Sequence, residues 1–179
     1  VVDTSIAGAG NTLQFGAGIT PDMLTLGLGS LLVNINDGFG DAVHLDTFNP
    51  ADAAGAHTVD TFRFADGETL NYAQLVAFGF CFSGTAGDDI INGTSVADRI
   101  TGGAGNDALA GGAGNDRYFF ALGSGSDTIV DADSTAGNFD AIEFGAGIAL
   151  ATHSVSRDAD DLVIDYGGAG DRVIVKNWF

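Results

Sequence analysis

Residues 84–119 repeat one nine-residue pattern four times, as GTAGDDIIN, GTSVADRIT, GGAGNDALA and GGAGNDRYF. Every copy has glycine at its first position, aspartate at its sixth, and an apolar or aromatic residue at its eighth. Glycine allows the unusual backbone angles of a tight turn, and the single apolar position indicates a very short strand. Because one such strand buries only one side chain, the copies must stack to form a core. The pattern therefore predicts a coil of short parallel strands around a column of Ile91, Ile100, Leu109 and Tyr118.

A fifth, shifted copy follows as GSGSDTIVD at residues 123–131. With two repeats to each turn of the coil, the aspartate of one copy lies near the aspartate of the second copy after it. Two carboxylates a few ångströms apart repel by about 1–4 kcal/mol at effective dielectric constants between those of water and a protein surface. A divalent cation between them reverses the sign of that energy.

Calcium fits these turns better than other common metals. It accepts about 6–8 oxygen ligands, including backbone carbonyls, and glycine leaves those carbonyls unshielded. Magnesium demands stricter octahedral geometry and retains its waters, while zinc and copper prefer histidine or cysteine, which the block lacks. The sequence therefore predicts several bound Ca²⁺ ions.

The composition narrows the range of partners. The chain has 24 acidic and six Lys or Arg residues, for a formal net charge of −18. This charge argues against nucleic acid and against an anionic membrane surface, and the lack of 18 consecutive apolar residues argues against membrane insertion. The only cysteine, Cys81, excludes an internal disulfide and is expected to be a small buried residue. The three histidines share no motif and no catalytic signature is present, so we predict no enzyme activity and no catalytic residues in this chain.

A second, longer repeat flanks the nonapeptides. The sequence LQFGAGI at residues 13–19 returns as IEFGAGI at 142–148. Each copy is followed by alternating apolar residues around a glycine-rich turn, at 31–48 and 161–179, which predicts an antiparallel hairpin.

The first copy continues beyond its hairpin. FRFADGETL at residues 62–70 predicts strand, turn and strand, and residues 71–79 predict a short helix capped by Asn71. The second copy has no such continuation, and we expect a longer parent protein that repeats this unit. The predicted domains are a β-rich module at 1–82, the nonapeptide coil at 83–130, and a second, shorter copy of the module at 131–179.

The nonapeptide block resembles the RTX, or haemolysin-type calcium-binding, repeat family. The flanking copies resemble the β-rich domain that accompanies those repeats in large haemolysin-type proteins. The resemblance implies an all-β chain with a central right-handed parallel β-roll, flanked by antiparallel hairpin-rich β modules. It also implies that each ion lies between repeat i and repeat i+2, held by backbone carbonyls and sixth-position carboxylates of both turns.

Carried onto this sequence, the resemblance implies three ion sites. Val96 replaces an expected glycine in the second set, and an insertion precedes Gly123 in the third. The acidic stretch at 131–140 is either a further ion site beside Asp116 or a solvated turn. The first set is Thr85, Gly87, Asp89, Gly102, Ala104 and Asp107; the second is Thr94, Val96, Asp98, Gly111, Ala113 and Asp116; the third is Gly103, Gly105, Asp107, Leu122, Ser124 and Asp127; the acidic stretch contributes Asp131, Asp133 and Asp140.

These features predict a calcium-binding structural module of a large secreted bacterial protein, located outside the cell or at its surface. The resemblance implies type I secretion, in which the chain folds on calcium after export. Two alternatives stay open. One is an adhesin or surface-layer module that binds a surface glycan or neighbouring copies of itself. The other is an accessory domain of a secreted hydrolase, epimerase or toxin whose catalytic part lies elsewhere.

Overall fold

The computed structural model describes residues 10–28, 31–46, 48–149, 151, 153–168 and 170–179. The first nine residues of the first predicted module therefore lie outside the described residues. Within the described part, the chain forms sixteen strands of three to five residues, one α-helix and two three-residue 3₁₀ helices. The predicted all-β class is confirmed. No helix in the described part is long and apolar enough to cross a membrane.

The chain divides into two compact units. The first contains residues 1–81 and 94–96, and the second contains 82–93 and 97–179. The second unit thus includes most of the predicted nonapeptide coil together with the predicted third domain. The division into three domains stays a prediction.

The first unit combines two small sheets. Strands β2, β3 and β4 form an antiparallel meander, and the first residue of β7 extends it by a parallel pairing with β2. Strand β1 pairs parallel with β5, and β5 pairs antiparallel with β6. The predicted hairpin at 31–48 and the strand, turn and strand at 62–70 are confirmed. The strands are β1 (Thr12–Gln14), β2 (Leu24–Gly27), β3 (Leu31–Ile35), β4 (Ala42–Leu45), β5 (Thr61–Arg63), β6 (Thr69–Asn71) and β7 (Phe80–Ser83).

Helix α1 (Tyr72–Val76) begins where the sequence predicts and is shorter than expected. The Asn71 side chain accepts a hydrogen bond from the Gln74 amide, and the Gln74 side chain accepts one from the Asn71 amide, both at 2.8 Å. This reciprocal pair forms a capping box, which satisfies two amides that the first turn leaves unpaired. The helix buries Tyr72 and Leu75. Because it has only five residues, its stability comes from the packing of these side chains rather than from its length.

The second unit contains two ladders of short parallel strands. Strands β8, β10 and β12 form one ladder, and β9, β11 and β13 form the other. Alternate repeats thus fall on opposite ladders, as expected for two repeats per coil turn. The strands are β8 (Ile90–Asn92), β9 (Asp98–Thr101), β10 (Ala108–Ala110), β11 (Arg117–Phe120), β12 (Ser126–Ile129) and β13 (Ala141–Phe144).

The hairpin module of the second unit extends the first of these ladders. Strand β16 (Arg172–Val175) pairs parallel with β12, and β14 (Ser154–Asp158), β15 (Asp161–Asp165) and β16 form an antiparallel meander. The predicted apolar column lies inside: Ile100, Leu109 and Tyr118 are at most 1% exposed, and Ile91 packs against them. The predicted hairpin at 161–179 is also confirmed.

The duplication seen in the sequence is present in the fold. Strand β1 with the meander β2–β4 corresponds to β13 with the meander β14–β16, and Gly18 and Gly147 share a φ of +88° in the turn after each first strand. The two hairpins differ by one residue in length, so pairing of Leu31 with Leu45 corresponds to pairing of Leu162 with Val175. One expectation is wrong: Cys81 is exposed, because it lies on the face of its short strand opposite the buried Phe80.

The crowding of the coil turns gives a test by a matched pair of glycine substitutions. Gly103 has φ +106°, and an added Cβ would collide with the carbonyl oxygen of Thr85, whereas Gly137 has φ +90° and open space around it. We expect Gly137→Ala to cost about 1–2 kcal/mol for the left-handed backbone alone. Gly103→Ala should cost clearly more, measured by chemical unfolding in calcium. Equal losses would contradict the close approach of the two turns.

Candidate metal centre

The sixth-position aspartates form ladders in which each carboxylate bonds to the backbone of the aspartate one coil turn earlier. The amide of one aspartate donates to Oδ1 of the next, so the repeats are tied together through their own acidic side chains. The bonds run from Asp89 to Asp107 (2.9 Å), from Asp98 to Asp116 (2.8 Å), from Asp107 to Asp127 (3.0 Å) and from Asp116 to Asp140 (2.9 Å).

The other carboxylate oxygen is left without a protein partner at two positions. Oδ2 of Asp107 and Oδ2 of Asp116 are buried and accept no hydrogen bond from any described residue. The two side chains are only 2% and 0% exposed. Burying an unpaired charged oxygen is costly, and a bound cation removes that cost. The donor set is therefore suited to a hard, oxygen-seeking ion.

The first-position glycines give these carboxylates room to fold back over their own turn. A Cβ on Gly102 would collide with Oδ2 of Asp107, and a Cβ on Gly111 would collide with Oδ2 of Asp116. Neither residue has a positive φ, so glycine is not needed there for its backbone angles. It is needed because there is no room for a Cβ. The strict glycine at the start of each repeat is thus linked to the position of its aspartate.

The first predicted set is brought together in two facing turns. The Ala104 amide donates to the Thr85 carbonyl at 3.1 Å, and the space beside Gly105 is closed by the Gly87 carbonyl. The carboxylate of Asp89 accepts hydrogen bonds from the amide and hydroxyl of Thr85, at 2.6 and 2.9 Å. A Cβ on Gly103 or Gly105 would collide with the backbone of the facing turn. Glycine at these positions therefore lets the carbonyl oxygens of one turn lie against the backbone of the other.

The two aspartates of the third predicted set are joined, despite the insertion. The bond runs from the Asp107 amide to Asp127, and the space beside Gly125 is closed by the Gly105 carbonyl. The inserted residues form a turn in which the Ser124 hydroxyl accepts from the Ala121 amide at 3.1 Å. Leu122 projects outward and is 55% exposed.

The second predicted set is divided between the two compact units. Thr94 and Val96 belong to the first unit, where the Val96 amide donates to the Thr94 hydroxyl at 3.2 Å. The members in the second unit include Asp98 and Asp116, both buried and linked by the ladder bond. The remaining members, Gly111 and Ala113, lie in the turn that precedes Asp116.

The acidic stretch after the repeats supplies two carboxylates to the end of one ladder. Ligand oxygens of Asp116, Asp131 and Asp140 all lie within 4.8 Å of one another. Asp133 lies beside them in another role: it accepts from the Thr135 amide and hydroxyl, among other donors, and these bonds lower its pKa. Asp133 thus shapes the loop that carries the other two.

Tyr118 joins this acidic group to the fourth repeat, a role that the sequence analysis missed. Its hydroxyl donates to Oδ2 of Asp131 and accepts from the Gly111 amide, both at 2.7 Å. Burial, together with the neighbouring carboxylates, raises the pKa of Tyr118. The available signal was an aromatic residue at an eighth position that is aliphatic in the other copies.

Asp171 is a second missed residue. It ends GGAGD at 167–171, a turn that copies the nonapeptide turn GGAGND without its asparagine. Asp171 is 5% exposed, and its carboxylate accepts from the amides of Gly123 (2.8 Å) and Gly125 (3.2 Å). Both of its oxygens thus have protein partners, which tie Asp171 to the turn before β12.

The crowded carboxylates are poor acids without a cation. Burial raises the pKa of Asp116 to about 7; the bond from the Asp98 amide opposes this shift, and the charges of Asp98, Asp140 and Asp131 add to it. Burial likewise raises the pKa of Asp127 to about 6. The pKa of Asp140 is also raised, first by burial. Negative charge in this region therefore needs compensation at neutral pH.

Comparison with known proteins agrees with this geometry. Residues 83–118 match the family model of the RTX calcium-binding nonapeptide repeat in four copies. This segment is therefore a run of RTX repeats, a class that binds Ca²⁺. No curated protein matches the chain. Among solved structures, the chain is similar to the extracellular lipase LipA from Serratia marcescens, with 16% identity and a TM-score of 0.37, over 94% of this chain and 30% of the lipase chain.

The raised pKa values predict a pH dependence with a definite sign. In the ion-free protein, Asp116 holds its proton up to about pH 7, so its contribution to folding stability is present at low pH and is lost as the pH rises from about 4 to 7. Calcium requires the deprotonated carboxylate, so calcium binding must release this proton.

We therefore expect the ion-free chain to be more folded at about pH 5 than at about pH 8, because the folded coil holds a proton on Asp116 that the unfolded chain has already lost. Circular dichroism in EDTA at the two pH values measures the folded fraction. An ion-free chain that is equally folded at both pH values, or more folded at about pH 8, would contradict the raised pKa of Asp116.

Two buried tyrosines provide a matched test of the link to Asp131. Tyr118 and Tyr166 are both 1% exposed, but only the Tyr118 hydroxyl has hydrogen-bond partners. Tyr118→Phe should destabilise the calcium-loaded protein by about 1–3 kcal/mol, because the Gly111 amide loses its partner. Tyr166→Phe should be close to neutral in the same unfolding experiment. A larger loss for Tyr166→Phe would show that the bond to Asp131 is unimportant.

Proposed function

We propose that the chain is a calcium-dependent structural module of a secreted bacterial protein. In this proposal residues 83–130 form a right-handed parallel β-roll that folds when calcium binds, and the hairpin module of the second unit extends one of its ladders. The observation that carries it is the pair of buried, unpartnered oxygens on Asp107 and Asp116. Each lies against a first-position glycine whose missing Cβ leaves room for the carboxylate.

The proposed ligand sets are those of the sequence analysis. Asp107 serves both the first and the third set, because it is bonded to Asp89 on one side and to Asp127 on the other. A further ion is proposed at Asp116, Asp131 and Asp140, whose oxygens already converge. Calcium would supply the positive charge and bind the oxygens that the protein leaves unpaired. The aspartate side chains that hold it would be fixed in place by their hydrogen bonds to backbone amides.

The magnitudes are large enough for calcium to control folding. One site contributes about 2.7 kcal/mol when free calcium is 100 times its dissociation constant. A domain is typically stable by about 5–15 kcal/mol, so two or three sites account for much of that stability. Because the ligands come together only in the folded coil, binding energy becomes folding energy.

This dependence suits a protein that is exported unfolded. Inside a cell, free calcium is low and the carboxylates repel one another, which disfavours folding before export. Outside, calcium would trigger folding of the roll. The excess of negative charge also favours cations over nucleic acid or anionic lipid as partners. The adhesin and accessory-domain hypotheses stay predictions.

A calcium titration followed by circular dichroism tests this function, with magnesium as the control ion. We expect a largely coil-like spectrum without calcium and a cooperative change to β structure with calcium only. Asp107→Asn should raise the calcium midpoint by about tenfold or more, since two sites each lose a charged ligand.

Asp158→Asn is the matched control, because Asp158 is an exposed residue of β14 outside the ladders. It should leave the midpoint unchanged. A chain that is fully folded in EDTA and indifferent to added calcium would refute the proposal.

A further inference from the structure

The second unit contains a cavity of about 380 Å³ whose lining combines aliphatic walls with Asp131, Asp133 and Asp140 of the acidic stretch. Ile142 of β13, Leu162 and Ile164 of β15, and Val175 of β16 form those walls, and Trp178 stands at the rim. Leu162 and Ile164 are only partly buried, and Trp178 is 60% exposed. A cavity of this size and lining is large enough for a specific ligand.

The first module has the same hairpin face, and there it is covered. Leu31 and Leu45, the counterparts of Leu162 and Val175, are 1% and 5% exposed. Residues 56–59 and Tyr72 lie against them and leave a space of only about 10 Å³. The hairpin fold alone therefore does not create an open cavity. In the first module, a segment of the same chain fills the equivalent space.

The same segment also covers a sheet edge in the first module. Strand β5 pairs parallel with β1, and the Phe15 amide donates to the Arg63 carbonyl at 2.9 Å. Phe144 is the counterpart of Phe15, since the two end the repeated LQF and IEF triplets.

In the second module the corresponding edge of β13 is open. The amides of Ala141 and Gly145 donate to β11, through the carbonyls of Asp116 and Phe120. The amides of Ile142 and Phe144 alternate with them and point to the other edge. No strand pairs there within the described part of the second unit. An open strand edge is a template for a further strand.

We propose that the outer edge of β13 and the adjoining cavity form one docking site for a polypeptide segment of the type of residues 56–76. Its strand adds parallel to β13, as β5 adds to β1. Its aliphatic residue and its tyrosine, the equivalents of Val59 and Tyr72, enter the cavity. Main-chain hydrogen bonds hold the strand and the side-chain pocket selects the sequence, as in other cases of strand addition. The internal pairing of the first module is the template for both contacts.

A synthetic peptide of residues 56–76 tests this directly on the calcium-loaded chain. Trp178 is the only tryptophan of the protein and the peptide has none, so its fluorescence reports on the cavity rim. We expect a saturable blue shift with one peptide bound per chain. Hydrogen exchange should show new protection at the amides of Ile142 and Phe144. A peptide with Val59→Asp and Tyr72→Asp should give neither effect.

Two protein variants distinguish specific docking from nonspecific binding of the peptide. Leu162→Lys places a charge in the cavity and should abolish the shift, whereas Val155→Lys changes a residue of the same sheet that is 66% exposed and should leave it intact. Both variants are first checked for the normal calcium response by circular dichroism, so loss of folding is distinguished from loss of docking. No saturable shift with the native peptide, or an equal shift with the altered peptide, would overturn the proposal.

Discussion

The carboxylate ladder is the constraint on which the second unit depends. Each ladder bond uses one oxygen of an aspartate to hold the next turn, and at Asp107 and Asp116 this leaves the second oxygen buried without a partner. Strands of three or four residues bury too little to offset that cost alone. The same bonds that align the turns therefore create the need for positive charge at these two positions.

Glycine serves this arrangement in two separate ways. At Gly103 it provides a positive φ and lets the Thr85 carbonyl approach from the facing turn. At Gly102 the backbone angles are ordinary, and the missing Cβ makes room for the carboxylate of Asp107. One role sets where the carbonyls point and the other sets where the carboxylate lies. The glycines of the repeat thus position both the carbonyls and the carboxylates that the proposed calcium sites would use, so this much glycine is compatible with an ordered fold.

The sequence predicts those features that follow from local periodicity. The apolar eighth position predicts the column of Ile100 and Leu109, and Asn71 at the start of its segment predicts the helix cap. The features that it misses arise from pairings between distant residues. Asp171 reaches Gly123 only because β16 lies beside β12, and no local pattern fixes that neighbour. The exposure of Cys81 likewise depends on which face of its strand is covered.

The two copies of the hairpin module differ in one side chain that takes part in two different pairings of the strand after it. Asn11 and Asp140 occupy the same place before the first strand of their modules. The side-chain Nδ2 of Asn11 donates to the Thr58 carbonyl at 2.8 Å, which ties β1 to the segment that covers it. A carboxylate cannot make that bond, and Asp140 instead accepts from the Asp116 amide at the end of the ladder. Replacing a donor by a charge at this one position therefore accompanies the pairing of β13 with β11 in the second unit, whereas β1 pairs with β5 in the first.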